Sequence, residues 1–502
     1  MASPSRSTVD PRTPVLVGVG TALDDVEAVE LMARAAEAAG RDSGSSSVLG
    51  AVERIAVPRG TWSYSDPARI VAERVGASRA RTHLVDLGIP QQTLVNGAMA
   101  AIAAGELDVA LVVGAEAKAR AARAAKARSA ADAKGIAAVL RRTPDDGETD
   151  QGGVAPDVHE VPESEIVARA EVEAALWAPV EQYALIESAL RAAEGLGVAE
   201  HVREVAELGA RFNAVARQNP EAAFAAPIDV GRLARLGPDN RPLAFPYGRW
   251  QASQWTVDQG AALLLCSAEA ARRHGIDPDR WVFPLVGLES SFALPLTKRR
   301  HLHRWPAMQV LGHAASERTR EPLASCTHSE IYSCFPVAVR VQQRELALPV
   351  DGTPTITGGM TFAGGPFNNF VLQATVAMAR LLRAEPGRGL VTTVSGLLTK
   401  PGLAVWASEP DGRAPLIADL RAEAERTTET VEVVTGYEGE ATIAALTVTY
   451  DGYEPNEVVA IVDTTDGTRA IAKSRDPALV KHATTEELIG RTFAVRGGAI
   501  SS

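Results

Sequence analysis

The sequence predicts an α/β protein with an inserted helical region and a separate β-rich tail. Two observations carry that reading: a loop-helix-strand unit that occurs twice, and a change to alternating apolar residues past about residue 410. The first unit is LVDLGIPQQTLVNGAMAAIAAGELDVALVVGAEA. A turn around Gly88 and Pro90 opens an Ala-rich helix, which leads through Gly105 to a buried strand, Val109 to Val113. The second is TITGGMTFAGGPFNNFVLQATVAMARLLRAEPGRGLVTTVSG, where the turn Gly364-Gly365-Pro366 opens a similar helix leading to a strand, Leu390 to Val394. Both helices are apolar nearly all round, so both should be buried. Helix N-termini carry unpaired N–H groups and partial positive charge, so two such ends converging make an anion or oxyanion site.

The elements follow in order. Pro14 to Gly20 is a short apolar run ending in glycines, a buried strand and tight turn, and Val26 to Gly40 reads as a helix closed by its glycine. Residues 117 to 245 read as an insertion: an Ala, Lys and Arg stretch, an acidic loop with Gly and Pro, then helices after Pro179. In the tail, TVEVVTGYEG, ATIAALTVTY, EVVAIVDTTDG and RTFAVRGG alternate between turns, the pattern of a small antiparallel barrel of five strands, OB type. Few aromatics and an acidic balance speak against this tail stacking on bases.

Composition narrows the function classes. Of the 502 residues 46% are apolar and 23% charged, enough to bury two or three cores. A net charge of -11 argues against a nucleic-acid partner, since phosphate recognition needs surplus Lys and Arg. Three cysteines, Cys266, Cys326 and Cys334, are too few for a disulfide framework, which fits a reducing cytoplasm. No secretory leader and no apolar run of about 18 residues appear, so neither export nor membrane insertion is expected.

Five strings stand in the order found in thiolases: VLVGVG, AMAAIAAGELDVALVVGAEA, TVDQGAALLLCSAEAARRHGI, HSEIYSCFPVAV and GGMTFAGGP. On them the chain resembles the thiolase superfamily from about Pro14 to Trp406, and most closely the branch called thiolase-like protein type 1, in which an additional domain follows a body lacking the usual catalytic residues. The resemblance implies a thiolase fold of duplicated αβαβα halves with an inserted helical loop domain and an OB-like C-terminal domain. Residues 13–270 form the first half, with the loop domain at about 117–245. Residues 271–408 form the second half and 409–502 the added β domain.

The same resemblance assigns the site. The family's nucleophilic Cys falls at about Gly88 here, its activating His at Gly365, and its second Cys at Ser395-Gly396, so the Cys/His/Cys set of an acetyl-CoA acetyltransferase is absent. Tyr332 stands where an Asn or His holds the oxyanion water. What remains as candidates are Tyr332 and Cys334 for catalysis, with His328, Asn368 and Asn369 framing the pocket. A protein that binds CoA or an acyl-CoA without acyltransferase chemistry is one reading, with a place in lipid metabolism. A carbon-carbon lyase of the retro-aldolase type, acting on a β-hydroxyacyl-CoA through Tyr332, is the other. Each residue also has a plainer role: Tyr332 and Cys334 as core, Asn368 and Asn369 as helix caps. Arg120, Arg123, Lys126 or Arg128 could meet CoA phosphates or form a solvated helix face. His301 and His303 lack a third metal ligand, and Gly18-x-Gly20 lacks the third glycine of a dinucleotide loop. No metal or cofactor is expected. The superfamily default is a homodimer, which an added domain can block to leave a monomer.

Overall fold

The duplication organises the fold. The structure, a computed structural model, describes residues 9–127, 148–149 and 152–501. Strands β1 (Pro14–Ala22), β2 (Arg54–Pro58), β3 (Arg81–Val85), β4 (Val109–Ala117) and β5 (Val158–Glu160) share a sheet with β8 (Asp258–Ser267); β6 (Pro242–Ala244) and β7 (Tyr247–Gly248) belong elsewhere. The sheet order is β1-β8-β4-β2-β3-β5. A second sheet holds β9 (Phe283–Glu289), β10 (His328–Glu330), β11 (Arg388–Ser395), β12 (Lys400–Ala407) and β13 (Leu416–Asp419) in the order β10-β11-β12-β9-β13. The series β1-β8-β4-β2 and β9-β12-β11-β10 correspond step by step, two antiparallel contacts and then a parallel one. Leu16 and Val282 exchange backbone hydrogen bonds of 2.9 and 3.0 Å, joining β1 to the start of the second half.

Four helices complete five layers: α1 (Ala28–Ser43), α2 (Gln91–Ala104), α3 (Pro306–Thr319) and α4 (Phe370–Ala384). Helix α1 covers β1 and β8, and α3 covers β9 and β12, while α2 and α4 touch strands of both sheets and so lie between them. Helix α2 is apolar on nearly every face because it has a sheet on either side. Gly18 and Gly20 have a packing reason. A Cβ at either would overlap a carbonyl oxygen of α1, at Ala39 and Ala35, so these glycines let β1 approach the helix and form no nucleotide loop. Helix α1 also runs past the Gly40 expected to close it, ending at Gly44 with φ 74°.

The tail forms a closed barrel. Strands β14 (Gly439–Asp451), β15 (Glu454–Thr464), β16 (Arg469–Ser474), β17 (Thr492–Arg496) and β18 (Ala499–Ser501) run in the order β15-β16-β18-β17-β14, and β14 pairs again with β15. The change of texture at residue 409 precedes the barrel, since β13 still extends the second sheet. TVEVV makes only isolated bridges, and the strand that completes the ring is β16, whose short RAIAKS run the alternation did not single out. β6, drawn from the insertion, adds to β14 through Ala244 and Thr449.

A buried charge network ties the insertion to the second half. Arg340 places Nη2 2.6 Å from Glu194 and 2.8 Å from Glu204, and Nη1 3.4 Å from Glu187. Glu187 also meets His201 at 2.8 Å and accepts from the Tyr247 hydroxyl at 2.5 Å. Among the described residues, Glu194, His201 and Glu204 are the one grouping with metal-like spacing, and the Arg340 guanidinium already serves as their cation. Among the same residues no helix is long and apolar enough to cross a membrane.

Candidate functional site

The N-termini of α2 and α4 do converge, and the protein's own amide fills part of the space between them. Gln91, the first residue of α2, turns its Oε1 to accept the Val371 N–H of α4 at 2.9 Å. Beside it, Asn369 is the N-cap of α4 yet does not cap it. It is 1% exposed and, among the described residues, neither amide atom has a partner. Asn369 Oδ1 lies against Gly114 of β4, where an added Cβ would stand 2.7 Å from it. Gln259 of β8 donates to Ala363 O at 2.9 Å, and its own Oε1 is buried and unpartnered. Three unsatisfied amide atoms therefore gather where the two sheets and the two buried helices meet. Neither Gln91 nor Gln259 was singled out in the sequence, although two glutamines opening an otherwise apolar helix are a legible signal.

The positions that the resemblance assigns to the family's catalytic set, Gly88, Gly365 and Ser395-Gly396, include three glycines with little room for a side chain. Gly88 has φ 98°, a left-handed conformation that a side chain strains, and a Cβ there would approach Pro162 Cγ to 3.3 Å. At Gly365 an added Cβ would overlap Ser253 Oγ and come within 3.1 Å of Met360 Cβ. The loop carrying Ser253 is fixed there by two backbone bonds of 2.9 Å, Ser253 N–H to Cys334 O and Gly365 N–H to Gln254 O. At Gly396 the obstacles are Ile166 Cγ2 at 2.6 Å and Thr399 Cγ2 at 2.8 Å. Gly396 opens a left-handed turn continued by Leu397 (φ 64°) and Leu398 (φ 55°), a conformation that costs each leucine about 1–2 kcal/mol.

Tyr332 and Cys334 line the far side of this region. Tyr332 is buried and its ring meets Phe370 edge-on, centroids 5.9 Å apart, while its hydroxyl makes no hydrogen bond among the described residues. Burial raises its pKa well above the ordinary phenol value, so it is a proton donor and never an anion at neutral pH. Cys334 is buried too; desolvation pushes its thiol up to about 12, against the help of a hydrogen bond with Tyr183. A thiol held in that state is a poor nucleophile.

The remaining candidates scatter. Asn368 Nδ2 donates to Arg59 O at 3.0 Å and so braces the end of β2 rather than capping α4. His328 is a correction: it stands at the start of β10 with Nε2 3.6 Å from Glu385, past the C-terminal end of α4. Fifteen helical residues, about 22 Å, separate it from Asn369. The strand runs from His328, which pairs with Gly389 near the start of β11, toward Tyr332, whose N–H meets Thr392 Oγ1 farther along it. Arg123 is committed to Asp258 at 2.6 Å and Asp25 at 2.7 Å, and Arg120 meets Asp258 through its backbone N–H at 2.8 Å. Arg128 lies outside the described residues. A group the sequence did not reveal stands just before Gly88: Asp86 pairs with Arg59 at 2.5 Å and His159 at 3.1 Å. Burial works to raise the Asp86 carboxyl, but His159 and Arg59 outweigh it and hold it below its usual range.

Two duplicated halves enclosing two buried helices define a protein of the thiolase fold, here with a barrel appended. Residues 419–498 match the family model of the thiolase-like protein type 1 additional C-terminal domain. A monomeric SCP2-thiolase like protein type 1 from Mycobacterium smegmatis is 29% identical, with 97% of this chain and 98% of that one covered and a TM-score of 0.80. Residues 419–498 thus carry the additional domain of the thiolase-like proteins of type 1, and the chain as a whole has their fold. Human mitochondrial 3-ketoacyl-CoA thiolase in complex with CoA aligns over 80% of this chain and 100% of its own, 17% identical, TM-score 0.54. An Ltp2-ChsH2(DUF35) aldolase aligns over 79% and 98%, also 17% identical with TM-score 0.54. No curated protein matches.

Proposed function

We propose that this protein binds CoA or an acyl-CoA at the thiolase-type site and carries out no ordinary acetyltransferase chemistry there. The observation that carries the reading is Asn369, buried at the N-terminus of α4 with both amide atoms unpartnered among the described residues. Leaving a buried polar group unsatisfied costs about 1–3 kcal/mol, a penalty that a ligand carbonyl or amide bound there removes. A thioester carbonyl and the amides of a pantetheine arm are ligand groups of that kind, and a thiolase of the same fold is known in complex with CoA. Gly88, Gly365 and the Ser395-Gly396 pair support the absence of Claisen chemistry, since none supplies the family's thiol or imidazole. A monomer is the assembly we favour, following the description of the Mycobacterium smegmatis relative. Calorimetry with CoA and acetoacetyl-CoA, with products followed by mass, tests the reading. Binding without turnover, weakened at least about tenfold by Asn369→Leu, is the expected result. Thiolytic turnover, or binding untouched by that substitution, overturns it.

One observation favours a second reading as a carbon-carbon lyase. The Tyr332 hydroxyl is held by no hydrogen bond among the described residues and is therefore free to donate to a ligand oxygen. Cleavage of a β-hydroxyacyl-CoA that disappears in Tyr332→Phe selects this reading over binding alone.

A further inference from the structure

Lys400 is a buried amine for which the fold supplies no partner. It opens β12 and is 3% exposed, yet its Nζ makes no hydrogen bond and no ion pair among the described residues. Buried charges are ordinarily paired, and a lysine left without a counter-ion shifts toward its neutral form. Burial lowers the pKa of Lys400 and the Arg421 guanidinium lowers it further, with no carboxylate acting against them. Glu289, opposite Gly402 on the neighbouring strand β9, is spent on the Thr93 hydroxyl and on Asn96 Nδ2 at 3.1 Å.

Strand pairing fixes where this amine lies. Side chains of a strand alternate between its faces, so Lys400 shares a face with Gly402 and Ala404. At Gly402 an added Cβ would stand 2.7 Å from Gln92 Cβ, and at Gly287, the partner of Ala404, it would overlap Asn96 Oδ1. The step from Ala404 to Gly402 therefore follows α2 from Asn96 back to Gln92, and the next step of about 6.6 Å carries Lys400 past the start of that helix. Residues 162–166 of the insertion close the same space: Pro162 lies against Gly88, Glu163 is 3.9 Å from Arg421, and Ile166 lies against Gly396. Ser395 stands opposite Lys400 across the hairpin, with Thr393 next on that face. Neither hydroxyl has a hydrogen-bond partner among the described residues. Thr393 Oγ1 is sealed from solvent, whereas Lys400 Nζ is not among the sealed atoms. An anion would call for the ammonium form that burial and Arg421 disfavour, while an electrophilic carbonyl carbon takes the neutral amine.

We propose that Lys400 is a carbonyl-reactive amine of the thiolase-type site, condensing with the ketone of a β-ketoacyl-CoA to a reversible imine. The nitrogen lone pair adds to the carbonyl carbon, the carbonyl oxygen takes up a proton and the nitrogen gives one up. The Ser395 and Thr393 hydroxyls, on the same face, are placed to relay it. The resulting carbinolamine loses water to leave the C=N bond, and water reverses both steps. The inference rests on the CoA reading for the carrier of the ketone, whereas the amine also takes a free β-diketone.

Intact-mass analysis of the full chain treated with acetoacetyl-CoA and sodium cyanoborohydride, followed by peptide mapping, tests the proposal. One equivalent should be trapped at Lys400 rather than at the other six lysines, and only with the reductant present. Butyryl-CoA, which has the thioester but no ketone, should leave no label, and pentane-2,4-dione should modify the same lysine. Lys400→Arg, which keeps a cation but forms no imine, and Lys400→Met should both take up no label. Label spread over the other lysines, label from butyryl-CoA, an acetoacetyl-CoA adduct formed without reductant, or label persisting in Lys400→Arg overturns the proposal. CoA binding in calorimetry with no ketone trapped at Lys400 overturns the role of the amine alone. Pentane-2,4-dione captured at Lys400 by a protein that binds no CoA overturns the CoA reading and keeps the amine.

Discussion

Restoring a side chain at Gly365 is the most direct probe of how far the thiolase-type site has closed. A Cβ there would overlap Ser253 Oγ and lie 3.1 Å from Met360 Cβ and 3.2 Å from Met360 O, against the 3.5–4.0 Å of a comfortable carbon contact. The serine hydroxyl can rotate aside. Met360 cannot, because its N–H is held by Ser333 Oγ at 3.0 Å and its carbonyl by Gln254 N–H at 3.1 Å. Gly365 has no positive φ, so backbone strain adds nothing and the whole cost is steric. Overpacking of this kind costs about 1–3 kcal/mol; Gly365→Ala belongs at the low end, and Gly365→His, which must also displace the Ser253 loop, at the high end or beyond it. Denaturant unfolding of both variants, with and without Ser253→Gly, measures this as shifts of midpoint. The serine substitution should recover roughly 0.5–1 kcal/mol in the alanine background, a coupling expected only of groups in contact. A Gly365→His protein as stable as the parent, or no coupling with Ser253, would refute the claim that protein atoms fill the place of the base.

Two further outcomes follow from the buried charges. Arg340→Met removes the cation shared by Glu187, Glu194 and Glu204 and should cost about 3–5 kcal/mol in denaturant unfolding, since Glu187 is fully buried; a loss under 1 kcal/mol would show the network to be solvated. Burial raises Glu289 from 4.5 to about 7, despite donors from Thr93 and Asn96, so the folded chain keeps a proton that the unfolded chain releases. Stability should therefore fall as pH rises from about 4.5 to 7, by up to about 1.4 kcal/mol per unit from this group, and Glu289→Gln should remove that slope. Parallel stability curves for the two proteins over this window would contradict it.

The layered body was legible because its evidence is periodic. Two Ala-rich helices, each leading to an apolar strand, appear twice in the sequence and twice in space, and Gly105 closes α2 with φ 75° as its position implies. The tail was legible for the same reason, as alternation between turns. Contacts brought together by the tertiary fold were not. Ser253, which fills the space beside Gly365, lies 112 residues before it in the chain. His328 looked like a neighbour of Tyr332 because only three residues part them, yet the extended backbone carries them apart, His328 beside Gly389 and Tyr332 beside Thr392 of β11. Asn369 was read as a cap from its place before a helix, and only the structure places its amide against Gly114 with no N–H to accept.

The left-handed turn at Gly396, Leu397 and Leu398 connects these findings. Two leucines with positive φ persist only where their surroundings over-determine them, and such strain tends to gather at functional sites. Here the supports are Arg299, donating to Leu397 O, and Thr399, whose Oγ1 accepts Leu294 N–H. Gly396, at the head of the same turn, packs against Ile166 of the insertion. One three-residue element therefore fixes the backbone directly after Ser395, at the pair where the resemblance puts the family's second cysteine. The conformation of that turn therefore depends on one buried guanidinium, since Arg299 Nη2 is the donor to Leu397 O.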